Sequence, residues 1–225
     1  MNYIWSPKLA GPALIIGSIL LLGGLVLHRI TTEVSQEIGA EALARIISDN
    51  IIMWYASHTM FTLSSPILIL GFLTVYGVLS GKDERIYSLP ALLSLGLFTV
   101  LFTATFVMHG FHTPTLAENY LAASAGAKQS AGMLLESEFL LNVSWVLAGV
   151  FALSLGVGLL GASLVRAKLY NKVLAWAGVV IGLLGVLGFF AGFFGPFWVF
   201  TPIFALYFVI LVIWSIALGI FLYRG

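Results

Sequence analysis

Apolar runs of about twenty residues or more recur along almost the whole of this chain, divided by short polar turns. Each run is close to the length that crosses ~30 Å of hydrocarbon as a helix. Hydrophobic residues make up 60% of the 225 and charged residues only 8%, too little polar surface to clothe a soluble domain. The expected fold is therefore an all-α integral membrane protein with a single transmembrane domain over residues 1–225. It is a six-transmembrane-helix bundle with spans at 10–28, 51–80, 87–110, 133–163, 172–194 and 198–223, set in a lipid bilayer.

The first run is read as a retained helix, because Leu25-Val26-Leu27-His28-Arg29 offers no small-x-small cleavage site. Residues 34–47 set Val34, Ile38, Leu43, Ile46 and Ile47 against Glu33, Glu37, Glu41 and Arg45. That spacing predicts an extra amphipathic helix between spans 1 and 2, too short and charged to cross, lying on the membrane surface. Asp49 or Asn50 suits the cap of the next helix. Gly81 to Arg85 is a polar turn, and Pro90 suits the first turn of the third span. From Gly110 to about 130 a loop is expected, with a short helix near Leu116 to Ala123. Gly195-Pro196 leaves almost no connection between the last two spans, so they should form a tight antiparallel pair.

With the N-terminus inside, the inner segments carry Lys8, Lys82, Arg85, Arg166, Lys168, Lys172 and Arg224, and the outer ones only Arg29, Arg45 and Lys128. The acids run the other way: Glu33, Glu37, Glu41, Asp49, Glu118, Glu136 and Glu138 outside, Asp83 and Glu84 inside. The positive-inside rule then puts both termini in the cytoplasm, in the cytoplasmic membrane of a prokaryote. The stretch Trp214 to Arg224, after the glycine-rich span from Lys172, resembles small six-helix prokaryotic membrane proteins. That resemblance covers about the last third of the chain and implies no activity.

Chemistry-bearing residues gather on the outer side. His28, His58, His109, His112, Met53, Met60, Met108 and Met133 all fall near outer span ends, and histidine and methionine are ligands of haem iron and copper. His58 lies roughly 10 Å into its span, among Ser57, Thr59, Thr62, Ser64 and Ser65. Thr105, His109 and His112 share one face of the third span by spacing, as do Glu138, Asn142 and Trp145 on the fourth. Polar groups in hydrocarbon are expensive and turn toward a partner, a cavity or a cofactor.

The preferred expectation is a membrane-embedded electron-transfer subunit that binds haem b near the outer face between spans two, three and four. It would link an outer-face oxidoreductase to quinone or a partner cytochrome. His58, His109 and His112 are the candidate ligands, with Glu138, Asn142 and Glu136 as supporting acceptors, and Trp54, Phe61, Phe106, Phe111 and Trp145 as slot-lining rings. Copper, from two histidines with a methionine or carboxylate, is an alternative. Zinc on His109, His112 and Glu136 or Glu138 is another, and the whole metal set is His58, His109, His112 and Glu138. A non-catalytic accessory subunit of a membrane complex, its histidines bonded only to Glu138, Asn142 or serines, stands beside them. His28, followed by Arg29, reads as an interfacial anchor, and His112 equally suits a plain loop residue.

Other chemistries find little support. Cysteine is absent, which excludes thiolate metal sites and covalent c-type haem. Gly156-Val157-Gly158 and Gly182 to Gly185 lie inside apolar spans and read as close helix packing, not phosphate loops. No serine elbow appears, no catalytic residue is assigned, and no nucleic-acid partner is expected. Spans one, five and six carry almost no buried charge, which disfavours a transporter and favours a one-sided site.

Overall fold

A computed structural model describes residues 7–31, 39–80, 85–168, 171–194 and 197–224. They form eight helices: α1 (Pro7–Thr31), α2 (Ala40–Asp49), α3 (Ile51–Ser80), α4 (Arg85–Phe111), α5 (Thr113–Ala122), α6 (Ala125–Ala167), α7 (Lys172–Phe194) and α8 (Phe197–Arg224). Six of them, α1, α3, α4, α6, α7 and α8, are long and apolar enough to cross a membrane. Among the described residues there is no strand.

The six spans close into a ring. α1 packs on α3, α3 on α4, α4 on α6, α6 on α7, α7 on α8, and α8 returns to α1. Lipid tails are as apolar as leucine, so burial of apolar surface does not drive these contacts and close packing must. Glycine provides it at the joints. A Cβ on Gly11 would lie 2.6 Å from the Gly219 carbonyl oxygen, joining α1 to α8, and one on Gly17 would lie 2.9 Å from the Leu68 backbone nitrogen, joining α1 to α3. Aromatic rings fill the middle: Phe98, Phe102 and Phe106 of α4 follow one another at 4.9 and 4.4 Å, and Phe208 of α8 reaches Phe102 at 6.2 Å.

Three sequence expectations need correction. The stretch expected as a loop from Gly110 to about 130 is helical but for a turn at His112 and the pair Ala123–Ser124. Pro114 sits in the first turn of α5, where its missing N–H is no loss, and the alanine-rich residues after Ser124 are strong helix formers. The fourth span consequently begins at Ala125 rather than 133 and runs 43 residues, about 64 Å against a ~30 Å hydrocarbon core. Part of it must therefore stand outside the hydrocarbon. Pro90 lies inside α4 rather than in its first turn.

The amphipathic helix is present as α2, while residues 34–38 of its expected range lie outside those described. Its apolar face, Ala40, Leu43, Ala44 and Ile47, is covered by protein rather than lipid, packing with Ala117, Tyr120 and Leu135 of α5 and α6. Glu136 accepts a hydrogen bond from the Ala40 N–H at 2.9 Å, so an acid meets the positive end of α2. Glu41 is gripped by Lys128 at 3.2 Å and Arg45 at 2.7 Å. Those two cations, Lys128 first, hold the Glu41 carboxyl below its ordinary range. The pair is exposed and worth little energy, but it fixes α2 across α6. Asn50 closes α2, donating from its side chain to the Ile46 carbonyl at 3.1 Å, and its own carbonyl accepts from the Trp54 N–H at 2.9 Å.

Candidate functional site

Beneath this cap the bundle holds a compact group of imidazoles and one indole. His58 is fully buried on α3 and His109 nearly so at the end of α4. Their ring centroids lie 5.2 Å apart. Trp54, one turn before His58, stacks on it at 4.5 Å and meets His109 edgewise at 5.0 Å. The indole N–H donates to the His109 carbonyl at 3.3 Å, fastening α3 to the α4 terminus. Glycine again sets the distance, since a Cβ on Gly110 would strike the His58 Cβ.

The hydrogen bonds of His58 define its chemistry. Nδ1 lies 2.7 Å from the Trp54 carbonyl oxygen, which can only accept, so the proton sits on Nδ1. Ser57 Oγ, 3.1 Å from the same nitrogen, itself donates to that carbonyl at 2.9 Å. The remaining nitrogen, Nε2, is buried and has no hydrogen-bond partner among the described residues. A buried polar atom left unsatisfied in this way is expensive. A backbone carbonyl on Nδ1 with the Nε2 lone pair turned inward is the arrangement that orients histidine as a metal ligand.

His109 is held from the other side. Its Nδ1 lies 3.0 Å from Thr113 Oγ1, 3.3 Å from Asn142 Nδ2 and 3.7 Å from Glu138 Oε2. The Asn142 amide also donates to the Glu138 side chain and, at 3.0 Å, to the Glu138 carbonyl. Glu138 and Asn142 are both buried, so α6 contributes a polar pair that fixes the His109 ring.

The residues singled out from sequence separate accordingly. His58, His109, Glu138 and Asn142 come together. His112 does not: α4 ends at Phe111, the shared face with His109 breaks there, and His112 is exposed in the turn before α5. Glu136 serves α2, not the histidines. Of the expected slot rings, Trp54, Phe61 and Phe106 surround His58, while Phe111 is half exposed against Tyr55 at 5.7 Å. Met53, Met108 and Met133 are exposed, and Met60 packs beside Gly23.

His28 was misread. Its ring is no interfacial anchor but packs against His58 at 5.2 Å, Trp54 at 5.6 Å and Phe61 at 6.0 Å. The sequence carried a signal for this: Gly17, Gly24 and His28 recur on one face of α1 at helical spacing. Gly17 and Gly24 are where α1 touches Leu68 and Phe61 of α3.

Two geometric tests bear on a metal cofactor. The donor chemistry suits haem iron, since His58 Nε2 is a buried, unprotonated imidazole nitrogen among aromatic rings. The space is another matter. With metal–nitrogen bonds near 2 Å, two imidazoles on opposite sides of one metal stand with centroids about 6 Å apart, and at a tetrahedral angle about 5 Å. The observed 5.2 Å matches the second, and Trp54 bridges both rings, so no flat slot separates them. Among the described residues no three His, Asp or Glu side chains are arranged to hold one ion. Comparison with protein-family models, curated proteins and solved structures finds no match for this chain.

Proposed function

We propose that this protein is a membrane-embedded electron-transfer subunit that takes a metal cofactor at His58 and His109 near the outer face, haem b being the first candidate. It would relay electrons between an outer-face oxidoreductase and quinone or a partner cytochrome. The observation that carries this reading is the His58 Nε2 lone pair, buried, without a partner among the described residues, on a ring oriented by the Trp54 carbonyl. Haem would supply one-electron chemistry; the chain's own part is to hold His58 in one tautomer, to fix the His109 ring through Asn142 and Glu138, and to exclude water with Trp54, Phe61 and Phe106. To hold haem there, the His58 and His109 rings and Trp54 would have to stand farther apart than they do.

A second reading, a single copper or zinc ion, rests on the 5.2 Å spacing of the His58 and His109 rings, two ligands to which no third His, Asp or Glu among the described residues is added. An absorption spectrum of the purified protein separates the two. A split red band on reduction supports haem; its absence with stoichiometric copper or zinc by elemental analysis supports the small ion. A chain free of all three overturns both and leaves an accessory subunit of a membrane complex.

The orientation belongs to the same proposal: both termini cytoplasmic and the α2–α5 cap outside, on the lysine and arginine distribution. Single cysteines introduced at Ala127, before the α6 membrane segment, and at Ala167, at its far end, provide the check. In whole prokaryotic cells an impermeant thiol reagent should label only the first. Labelling of Ala167→Cys alone would invert the molecule and put the histidines on the cytoplasmic side.

A further inference from the structure

We propose that α3 is hinged at Pro66, so that the segment carrying Trp54, His58 and Phe61 tilts as an arm and sets the gap between the His58 and His109 rings. The place of the proline is the first reason. Pro12 and Pro90 are the sixth residues of α1 and α4, near their starts, whereas Pro66 is the sixteenth of 30 in α3. A proline that deep removes one N–H from the helix and presses its ring on the carbonyl four residues back, here that of Thr62. The Thr62 hydroxyl, on the same residue, is buried and has no hydrogen-bond partner among the described residues. The chain stays helical throughout, but this turn is where it bends most easily.

The packing of α3 changes character at the same level. On the side of Pro66 away from the histidines, α1 and α3 meet main chain to main chain. A Cβ on Gly17 would lie 2.9 Å from the Leu68 nitrogen, and one on Gly71 3.1 Å from the Leu14 nitrogen. On the histidine side the glycines of α1 face side chains instead: a Cβ on Gly23 would lie 3.1 Å from the Met60 sulfur, and one on Gly24 2.9 Å from the Phe61 ring. Side chains can rotate where main chain cannot. Beside the proline, Ser65 and Thr103 share a hydrogen bond of 2.7 Å that ties α3 to α4, so the pivot is held and the arm beyond it tilts. At 1.5 Å per residue His58 lies about 12 Å from Pro66 and Ile52 about 21 Å, so a tilt of about 10° moves them by about 2 Å and about 4 Å. The smaller movement takes the rings from 5.2 Å past the ~6 Å at which two imidazoles face each other across one metal. The hinge belongs to the helices and does not rest on which cofactor, if any, the histidines hold.

The test is distance measurement between spin labels on the full chain in lipid bilayers, since the chain has no cysteine of its own. One pair joins Ile52→Cys on the arm to Leu183→Cys on α7. The control pair joins Leu70→Cys, on the other side of the hinge, to the same Leu183→Cys. All three positions are exposed. The first pair should show a spread about 4 Å broader than the second, and Pro66→Ala, which restores the missing N–H, should narrow it to the control. Gly110→Ala, whose Cβ would strike the His58 Cβ, should displace the mean of the first pair and leave the second unchanged, because the arm yields. Equal spreads in the wild type overturn the hinge, as does a first pair that Pro66→Ala leaves as broad. A Gly110→Ala shift shared by both pairs, or absent from both, also overturns it. Even elution and unchanged helicity confirm that each variant is folded.

Discussion

Gly182→Leu is expected to abolish accumulation of folded protein. At this point α6 and α7 approach so closely that a Cβ would collide with the Gly158 backbone and lie 2.7 Å from the Ser154 carbonyl oxygen. Those neighbours are main chain and cannot rotate away, so the helices must separate. Overpacking in a tight interior usually costs about 1–3 kcal/mol, and a backbone obstacle with no side chain to yield belongs at or above the top of that range. Separation would also break the ring of spans at its α6–α7 joint, where the packing that replaces the hydrophobic effect in lipid is closest. Gly96→Leu is the matched control, because a Cβ there meets nothing within 4 Å. It should be neutral or slightly stabilising through helix propensity. Thermal stability followed by detergent size-exclusion chromatography distinguishes the two; equal stability would mean that α6 and α7 do not pack as described.

Trp54→Ala should be the most damaging change near the site. The side chain is 1% exposed, stacks on His58, meets His109 and donates to the His109 carbonyl. It also belongs to the apolar cluster under α2 and α5, and so joins the cap to the bundle. Truncation of a buried tryptophan costs about 3–5 kcal/mol. Trp54→Phe keeps a ring between the imidazoles and loses only the N–H donor, for about 1 kcal/mol. Unfolding in detergent, read by circular dichroism, should rank them wild type, Phe, Ala. A Phe variant as unstable as Ala would place the weight on the hydrogen bond instead of the stack.

The parts of this architecture that were legible in the sequence are those with a strong periodic or compositional signal. Six apolar runs bounded by charges predicted six spans, and the polar spacing on α3, α4 and α6 pointed to His58, His109, Glu138 and Asn142 as neighbours. What escaped depends on contacts between distant elements. Nothing local to Ala40, Leu43 and Ile47 says whether lipid or α5 will cover them. The polar, alanine-rich stretch before Met133 looks like a loop when judged by hydropathy, although its intrinsic preference is helical. Glu136 and Glu138 are two residues apart, hence on different faces of α6, and only the packed structure assigns one to the α2 terminus and the other to His109. His112 leaves the face it would share with His109 because α4 ends one residue before it. For His28, the glycines one and three turns earlier are a better guide to its packing than its neighbour Arg29.

The contact of His28 with His58 also changes what its removal should do. An anchor at the interface could be deleted without consequence for a cofactor; a ring in contact with His58 cannot, and His28→Ala should weaken binding where His112→Ala leaves it intact. His58 remains the centre of the account. The most direct measurement is the cofactor bound per chain, by reduced-minus-oxidised spectrum and by iron, copper and zinc content, in the wild type, His58→Ala and His112→Ala purified at equal expression. The account predicts a stoichiometric cofactor in the wild type and in His112→Ala, and none in His58→Ala. A wild-type chain with no cofactor, or a folded His58→Ala that retains it in full, would contradict it.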